Sequence, residues 1–255
     1  MKRLYDRNQL QHFFVWLAIY LVTSIVVINL GVNLGLSMQT AAVIPLGVLS
    51  VILFFYLRRT GIGRQIGLGV APRVSLGRMW FYVPLLALVC FPLSTGLREE
   101  MTWLNVIIII GWAVFVGFLE EVLMRGMLLK ALLDQWSPVW AILVSALTFG
   151  LGHITSLAIG LGGIETALQI INATIVGLLF TLVVVATGNL HAVIVAHVLY
   201  NAIAQLSQVT SSSTLLIPSI VALGVYGGWL LYGAGVKDRM RTLDQQRQSP
   251  AKPAR

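Results

Sequence analysis

Apolar residues in this chain run in near-continuous stretches, each about as long as a membrane is thick, with short polar breaks between them. The stretches are 12–36, 38–57, 79–96, 103–130, 138–158, 166–187, 190–208 and 214–235. About 20 apolar residues in a helix span the hydrocarbon layer. The pattern therefore predicts an all-α, polytopic membrane helix bundle of about eight transmembrane helices. Little polar sequence parts the first two stretches, and only Gly188-Asn189 parts the sixth and seventh. Composition agrees: 58% of the residues are hydrophobic and 10% charged, and the mean hydropathy is +0.88. A water-soluble domain needs many more charges on its surface.

The charges change the picture by sorting to one side. Lys2, Arg3 and Arg7 precede the first stretch, Arg58, Arg59, Arg64, Arg73 and Arg78 follow the second, and Lys237, Arg239, Arg241, Arg247, Lys252 and Arg255 follow the eighth. With eight spans these segments share a face, and the positive-inside bias makes it cytoplasmic, with both termini there. The opposite loops carry only Arg98, Glu99, Glu100 and Glu165. The net charge of +8 thus reflects orientation in a cell membrane rather than nucleic-acid binding, with some contact of the tail to anionic lipid as a lesser reading. Residues 1–236 read as a transmembrane domain with its chemistry within about 100–208. Residues 237–255 read as a basic cytoplasmic tail, disordered apart from a helical continuation. Cys90 is the only cysteine, which excludes an internal disulfide, and it reads as a packed thiol. The first stretch is too long for a cleavable signal and is expected to remain as an anchor.

Three spans carry groups that do not belong in lipid. In Gly111–Lys130 two glutamates and an arginine sit within six residues of an apolar run; ionisable groups at that depth are costly and mark functional interiors. Residues four apart share a helix face, so Glu121 and Arg125 can pair internally, while Glu120 points elsewhere and is expected to project unpaired into the bundle as a general base. Phe149 and His153 share a face of the next span, with Gly150 and Gly152 between them allowing close approach. His197 and Asn201, again four apart, point one way from a later span and can donate two hydrogen bonds to one oxygen, as an oxyanion hole requires.

Taken in order on successive spans, Glu120-Glu121-x-x-x-Arg125, Phe149-x-x-x-His153 and His197-x-x-x-Asn201 resemble the CPBP, or Abi, family of intramembrane proteases. That family includes CAAX prenyl endopeptidases of Rce1 type and bacterial proteins linked to bacteriocin processing and self-immunity. The resemblance covers roughly residues 100–205. It implies that Glu120 and His153 activate the attacking water, that His197 and Asn201 hold the oxyanion, and that Glu121, Arg125 and Phe149 support the site. It leaves both a metal-independent glutamate mechanism and a zinc mechanism open. Glu120, His153 and His197 would be the zinc ligands, but no His-Glu-x-x-His helix preassembles two of them, and the metal-independent reading, with no cofactor, is favoured.

The expected activity is that of an intramembrane endopeptidase acting on a peptide or membrane-protein substrate near the cytoplasmic side, most typically of a bacterium. The alternative is a non-proteolytic membrane protein, either a bacteriocin immunity factor acting by binding or a proton-coupled transporter. A transporter would be expected to show inverted repeats, and none is evident. At 1.5 Å per residue, Glu120 lies about 15 Å from a helix end near Lys130 and His197 about 10 Å from one near Leu190. These depths favour a cavity open to the cytoplasm. By the same rise, His153 lies about 22 Å from Pro138, which requires a helix that starts inside the interface, or one tilted or broken around Gly150 and Gly152. His12 and His191 read as interfacial, Trp80, Trp103, Trp136 and Trp140 as an aromatic belt, Ser145 and Ser156 as ordinary helix serines, and Asn105, Gln169 and Asn172 as interhelical hydrogen-bonding groups.

Overall fold

The computed structural model describes residues 1–71, 73, 82–209 and 211–248. Arg78, Trp80, Lys252, Arg255 and the start of the third expected span lie outside the described residues. Helices follow one another along the chain: α1 (Lys2–Arg7), α2 (Gln9–Asn33), α3 (Met38–Thr60), α4 (Ile62–Gln65), α5 (Val83–Cys90), α6 (Trp103–Glu121), α7 (Leu129–Leu133), α8 (Pro138–Gly152), α9 (Gly163–Thr187), α10 (His191–Leu206), α11 (Ser212–Ala222), α12 (Gly228–Tyr232) and α13 (Val236–Gln248). A π turn, Val122–Leu128, joins α6 to α7, and a 3-10 turn, His153–Ile159, continues α8.

Six of the resulting helices are long and apolar enough to cross a membrane: Gln9–Asn33, Met38–Thr60, Trp103–Leu133, Pro138–Ala158, Gly163–Thr187 and Ser212–Tyr232. All eight apolar stretches are thus helical where described, yet Val83–Thr95 and His191–Leu206 are shorter than a full span. The chain is a multi-pass membrane bundle, with six full-length candidate spans among the described residues. The start of the tail is ordered as α13, where Lys237 to Arg247 belong to a helix.

Local signals start and stop these helices where the polar breaks fall. Asn8, Ser37, Thr102 and Ser211 each accept a backbone N–H of the first turn they precede, satisfying donors that the helix itself cannot. Gly61 and Gly188 end α3 and α9 in the left-handed conformation, which glycine adopts without steric cost. On the low-charge face, Leu97 and Ser207 form an isolated antiparallel bridge. Arg98 reinforces it by donating from its backbone to Leu206 O at 3.0 Å and from Nε to Ser207 O at 3.1 Å.

Two glycines set how closely the site-bearing helices meet. A Cβ on Gly117 of α6 would lie 2.9 Å from Val198 Cγ2 and 3.1 Å from Val198 N on α10. A Cβ on Gly150 of α8 would come within 1.9 Å of Thr174 Oγ1 and 2.8 Å of Ile170 O on α9. Without side chains at these two positions, α6, α8, α9 and α10 converge tightly enough for their polar groups to touch.

Candidate active site

The polar groups of the three motifs meet in the middle of the bundle. Glu121 and Arg125 form the ion pair that their spacing predicts: Arg125 Nη1 donates to Glu121 Oε1 at 2.9 Å, and both side chains are 0% exposed. The guanidinium stacks on the Phe149 ring, 4.0 Å from its centroid, with Phe180 on another side at 5.7 Å. Gly177 leaves the space, since a Cβ there would lie 2.9 Å from both Arg125 Nη2 and Phe149 Cδ1. Burying a pair of charges demands such compensation. Ser145 contributes as well, its hydroxyl bonding Met124 O at 3.1 Å within the π turn.

His197 joins this pair to the remaining carboxylate. Its Nδ1–H donates to Glu121 Oε1 at 2.7 Å, and its Nε2 faces Glu120 Oε2 at 3.6 Å, beyond hydrogen-bond length. Glu120 does not stand unpaired as its position on the helix wheel predicts. Tyr20 of α2 donates its hydroxyl to Glu120 Oε1 at 2.6 Å, leaving Oε2 as the oxygen turned to His197. The physical reason is packing: α2 lies against the π turn, and an isolated carboxylate at this depth needs a donor. Nothing in the spacing of the motifs pointed to Tyr20, 100 residues away, or to Phe180 within its apolar run.

His153 sits where α8 gives way to the 3-10 turn. The helix therefore changes geometry just after Gly150 and Gly152, which answers how a residue so far from Pro138 reaches the site. Its Nδ1–H donates to Phe149 O at 3.1 Å, which fixes the tautomer and leaves Nε2 free to accept. Phe149 packs edge-on against both His153 and His197, at 5.2 and 5.8 Å between centroids. Asn201 is half-buried, and among the described residues its carboxamide makes no hydrogen bond.

All four motif residues that the resemblance makes catalytic, Glu120, His153, His197 and Asn201, line one cavity of about 640 Å³. Gln169 and Asn172 also line it; Gln169 accepts from Ser156 Oγ at 2.7 Å and Asn172 donates to Tyr200 Oη at 3.1 Å, as expected of interhelical groups. Asn105, by contrast, is exposed and, among the described residues, bonds no neighbouring helix. His12 is fully buried, accepting from Trp16 Nε1 at 3.2 Å and bonding Tyr56 Oη at 2.8 Å, so it ties α2 to α3. His191 stays at its helix start beside Asn189.

The cavity corrects the expected direction of access. Its wall continues through Arg98, Gly160, Leu161, Glu165, Ser211 and Ser212, all on the low-charge face. Toward the basic face the way is filled by Val122, Leu123, Met127, Leu128 and Val183, each at most 3% exposed. Counting residues to the nearer helix end does not tell on which side the packing stays open. Among the described residues, no three His, Cys, Asp or Glu side chains gather as a metal-ligand set.

Residues 101–203 match the family model described as Type II CAAX prenyl endopeptidase Rce1-like. No curated protein and no solved structure matches the chain. The matched segment begins just before α6 and ends within α10, so it holds all three motifs and most of the cavity wall, while Tyr20 comes from outside it. The segment of this chain that carries Glu120, His153, His197 and Asn201 is therefore similar to the type II CAAX prenyl endopeptidases of Rce1-like kind.

Proposed function

We propose that the chain is an intramembrane endopeptidase in which water, activated by Glu120 and His153, cleaves a peptide bond without a metal. The single observation that carries this reading is that a carboxylate, an acceptor imidazole and an anchored second imidazole line one cavity of about 640 Å³. Tyr20 holds Glu120 by Oε1, so Oε2 is left to take a proton from water. His153 Nε2 orients the same water as a second acceptor. Glu121, paired with Arg125, holds His197 through Nδ1–H and so aims its Nε2 at the site; in the imidazolium form that nitrogen donates to the oxyanion. Asn201, one turn further on, supplies a second donor. The proton on Glu120 finally passes to the leaving amine.

With the basic segments on the cytoplasmic side, the cavity takes its substrate from the opposite, extracytoplasmic side. What supports this is the placement of Arg98, Glu165, Ser211 and Ser212 around its outer wall. A protein with Cys90→Ala and a single new cysteine at Ser212 should react in intact cells with a membrane-impermeant thiol reagent. Labelling only after the cells are opened would place the mouth in the cytoplasm.

The catalytic reading is tested by Glu120→Gln, which keeps shape and the Tyr20 contact but cannot take a proton from water. Comparative peptidomics of cells carrying wild-type or Glu120→Gln protein should show cleavage products only in the first. A well-expressed, folded Glu120→Gln protein that still processes them would end the enzymatic assignment. Purified wild-type protein should keep its activity after exhaustive chelation; loss on chelation, with recovery on adding zinc, would replace the metal-free mechanism.

A further inference from the structure

A second cavity, of about 500 Å³, lies beyond the packed layer at the basic face. Its wall is formed by the turn after α4, the last turns of α9 and the helix α13, and Arg73, Lys130, Asp134, Arg239 and Arg247 line it with Arg125 at its inner end. Three of the cations are already compensated. Arg125 pairs with Glu121, Lys130 with Asp134, and Arg247 with Asp244 at 2.9 Å. Among the described residues Arg73 and Arg239 have no carboxylate partner. Burial first, and then the charge of Arg73, hold the Arg239 guanidinium below its usual range, a mark of two like charges brought close without a counter-ion.

The position of Arg73 is built rather than accidental. Its backbone N–H donates to Thr187 O at 2.9 Å, and its guanidinium lies over Gly188, where a Cβ would come within 2.9 Å of Cζ. At the inner end, Nε and Nη2 of the fully buried Arg125 have no hydrogen-bond partner. The cavity thus combines two uncompensated guanidinium groups at its mouth with unused donors at its base, and among the described residues no anion answers them.

We propose that this cavity binds a phosphate group, from an anionic lipid headgroup or from free phosphate, between Arg73 and Arg239. Guanidinium forks match phosphate oxygens two at a time, and the ends of membrane spans on a basic face are where anionic headgroups lie. The inference does not rest on the protease reading, because neither arginine touches the catalytic cavity.

The test uses the full chain in phosphatidylcholine nanodiscs, with or without phosphatidic acid, and in plain nanodiscs with inorganic phosphate against chloride at equal ionic strength. Thermal unfolding of the wild type should rise with at least one of the two phosphate sources, as ligand binding to the folded state requires. A response to phosphatidic acid alone identifies a lipid headgroup, and a response to inorganic phosphate identifies a free anion; either supports the site. Arg73→Gln combined with Arg239→Gln should weaken the responding ligand about tenfold or more, as expected for losing charge-assisted bonds, while Arg239→Lys keeps part of the effect. Circular dichroism and size exclusion check folding, and Arg239→Gln alone, on the half-exposed α13, gives the same readout if the double variant does not fold. Equal stability of the wild type under all conditions, or a folded double variant that responds as the wild type does, overturns the proposal.

Discussion

Replacing Arg125 by leucine would separate the two jobs its side chain does, filling space and neutralising Glu121. Leucine restores much of the apolar volume against Phe149 and Phe180, but it leaves a fully buried carboxylate whose Oε2 already lacks a partner and whose Oε1 keeps only His197. Breaking a buried pair by removing one member costs about 3–5 kcal/mol. In a protein of this size that lowers the unfolding temperature by on the order of 10 °C. Adding Glu121→Gln removes the stranded charge while its amide oxygen still accepts from His197 Nδ1–H. The double variant should therefore recover at least about 2 kcal/mol of the loss, because deleting both members of a buried pair is often close to neutral. Thermal unfolding of the four purified proteins in one detergent measures the cycle. If Arg125→Leu is as stable as the wild type, or if Glu121→Gln brings no recovery, the pair does not have the energetic role given to it here.

Tyr20→Phe removes the donor to Glu120 and little else; the charge-assisted bond is valued at about 1.5–3 kcal/mol, so kcat should fall roughly tenfold to a hundredfold with KM unchanged. A rise in KM alone, in steady-state cleavage, would contradict a positioning role. Asn201→Ala should lower kcat by about a hundredfold, as the loss of one oxyanion donor does, with unchanged thermal stability; a protein that unfolds earlier instead would make Asn201 structural. Gly150→Ala must force Thr174 and the α9 backbone away and should cost about 1–3 kcal/mol, whereas Gly152→Ala, with nothing within 4 Å of its Cβ, should be close to neutral. Equal melting temperatures for these two variants would refute the close packing of α8 on α9.

Much of this architecture was legible because lipid makes sequence simple. A continuous apolar run has few alternatives to a helix, and a charge within it has few reasons to be there, so the Glu121–Arg125 pair follows from spacing, while the grouping of His153, His197 and Asn201 follows from the resemblance that the three motifs carry together. The partners of Glu120 did not follow. Tyr20 stands in an ordinary apolar span, and only the packing of α2 against the π turn brings it to the carboxylate. The span length was overestimated at α10 for a related reason: hydropathy counts apolar residues without knowing where a cap ends the helix. The side of access was also invisible, because it depends on which end of the bundle is filled by Leu123, Met127 and Val183, and apolar residues read alike whether they plug a cavity or face lipid.

The π turn at Val122–Leu128 fits one more residue into each loop of backbone than an α-helix holds. It works as a one-residue insertion inside the otherwise continuous span Trp103–Leu133. A helical wheel drawn from Trp103 therefore goes out of phase beyond Glu121 and assigns Leu129 to the wrong side. Removing any single residue of the turn would let the span relax into a more regular helix. The price of that regularity would be the aim of one half relative to the other: the Glu120–Glu121 end or the Leu129–Leu133 end would swing by about 100°. The most favourable backbone for this span is thus one that cannot hold the site, and the irregular one is supported by neighbours such as Ser145, whose hydroxyl adds a second donor to the Met124 carbonyl that Leu129 N–H already bonds.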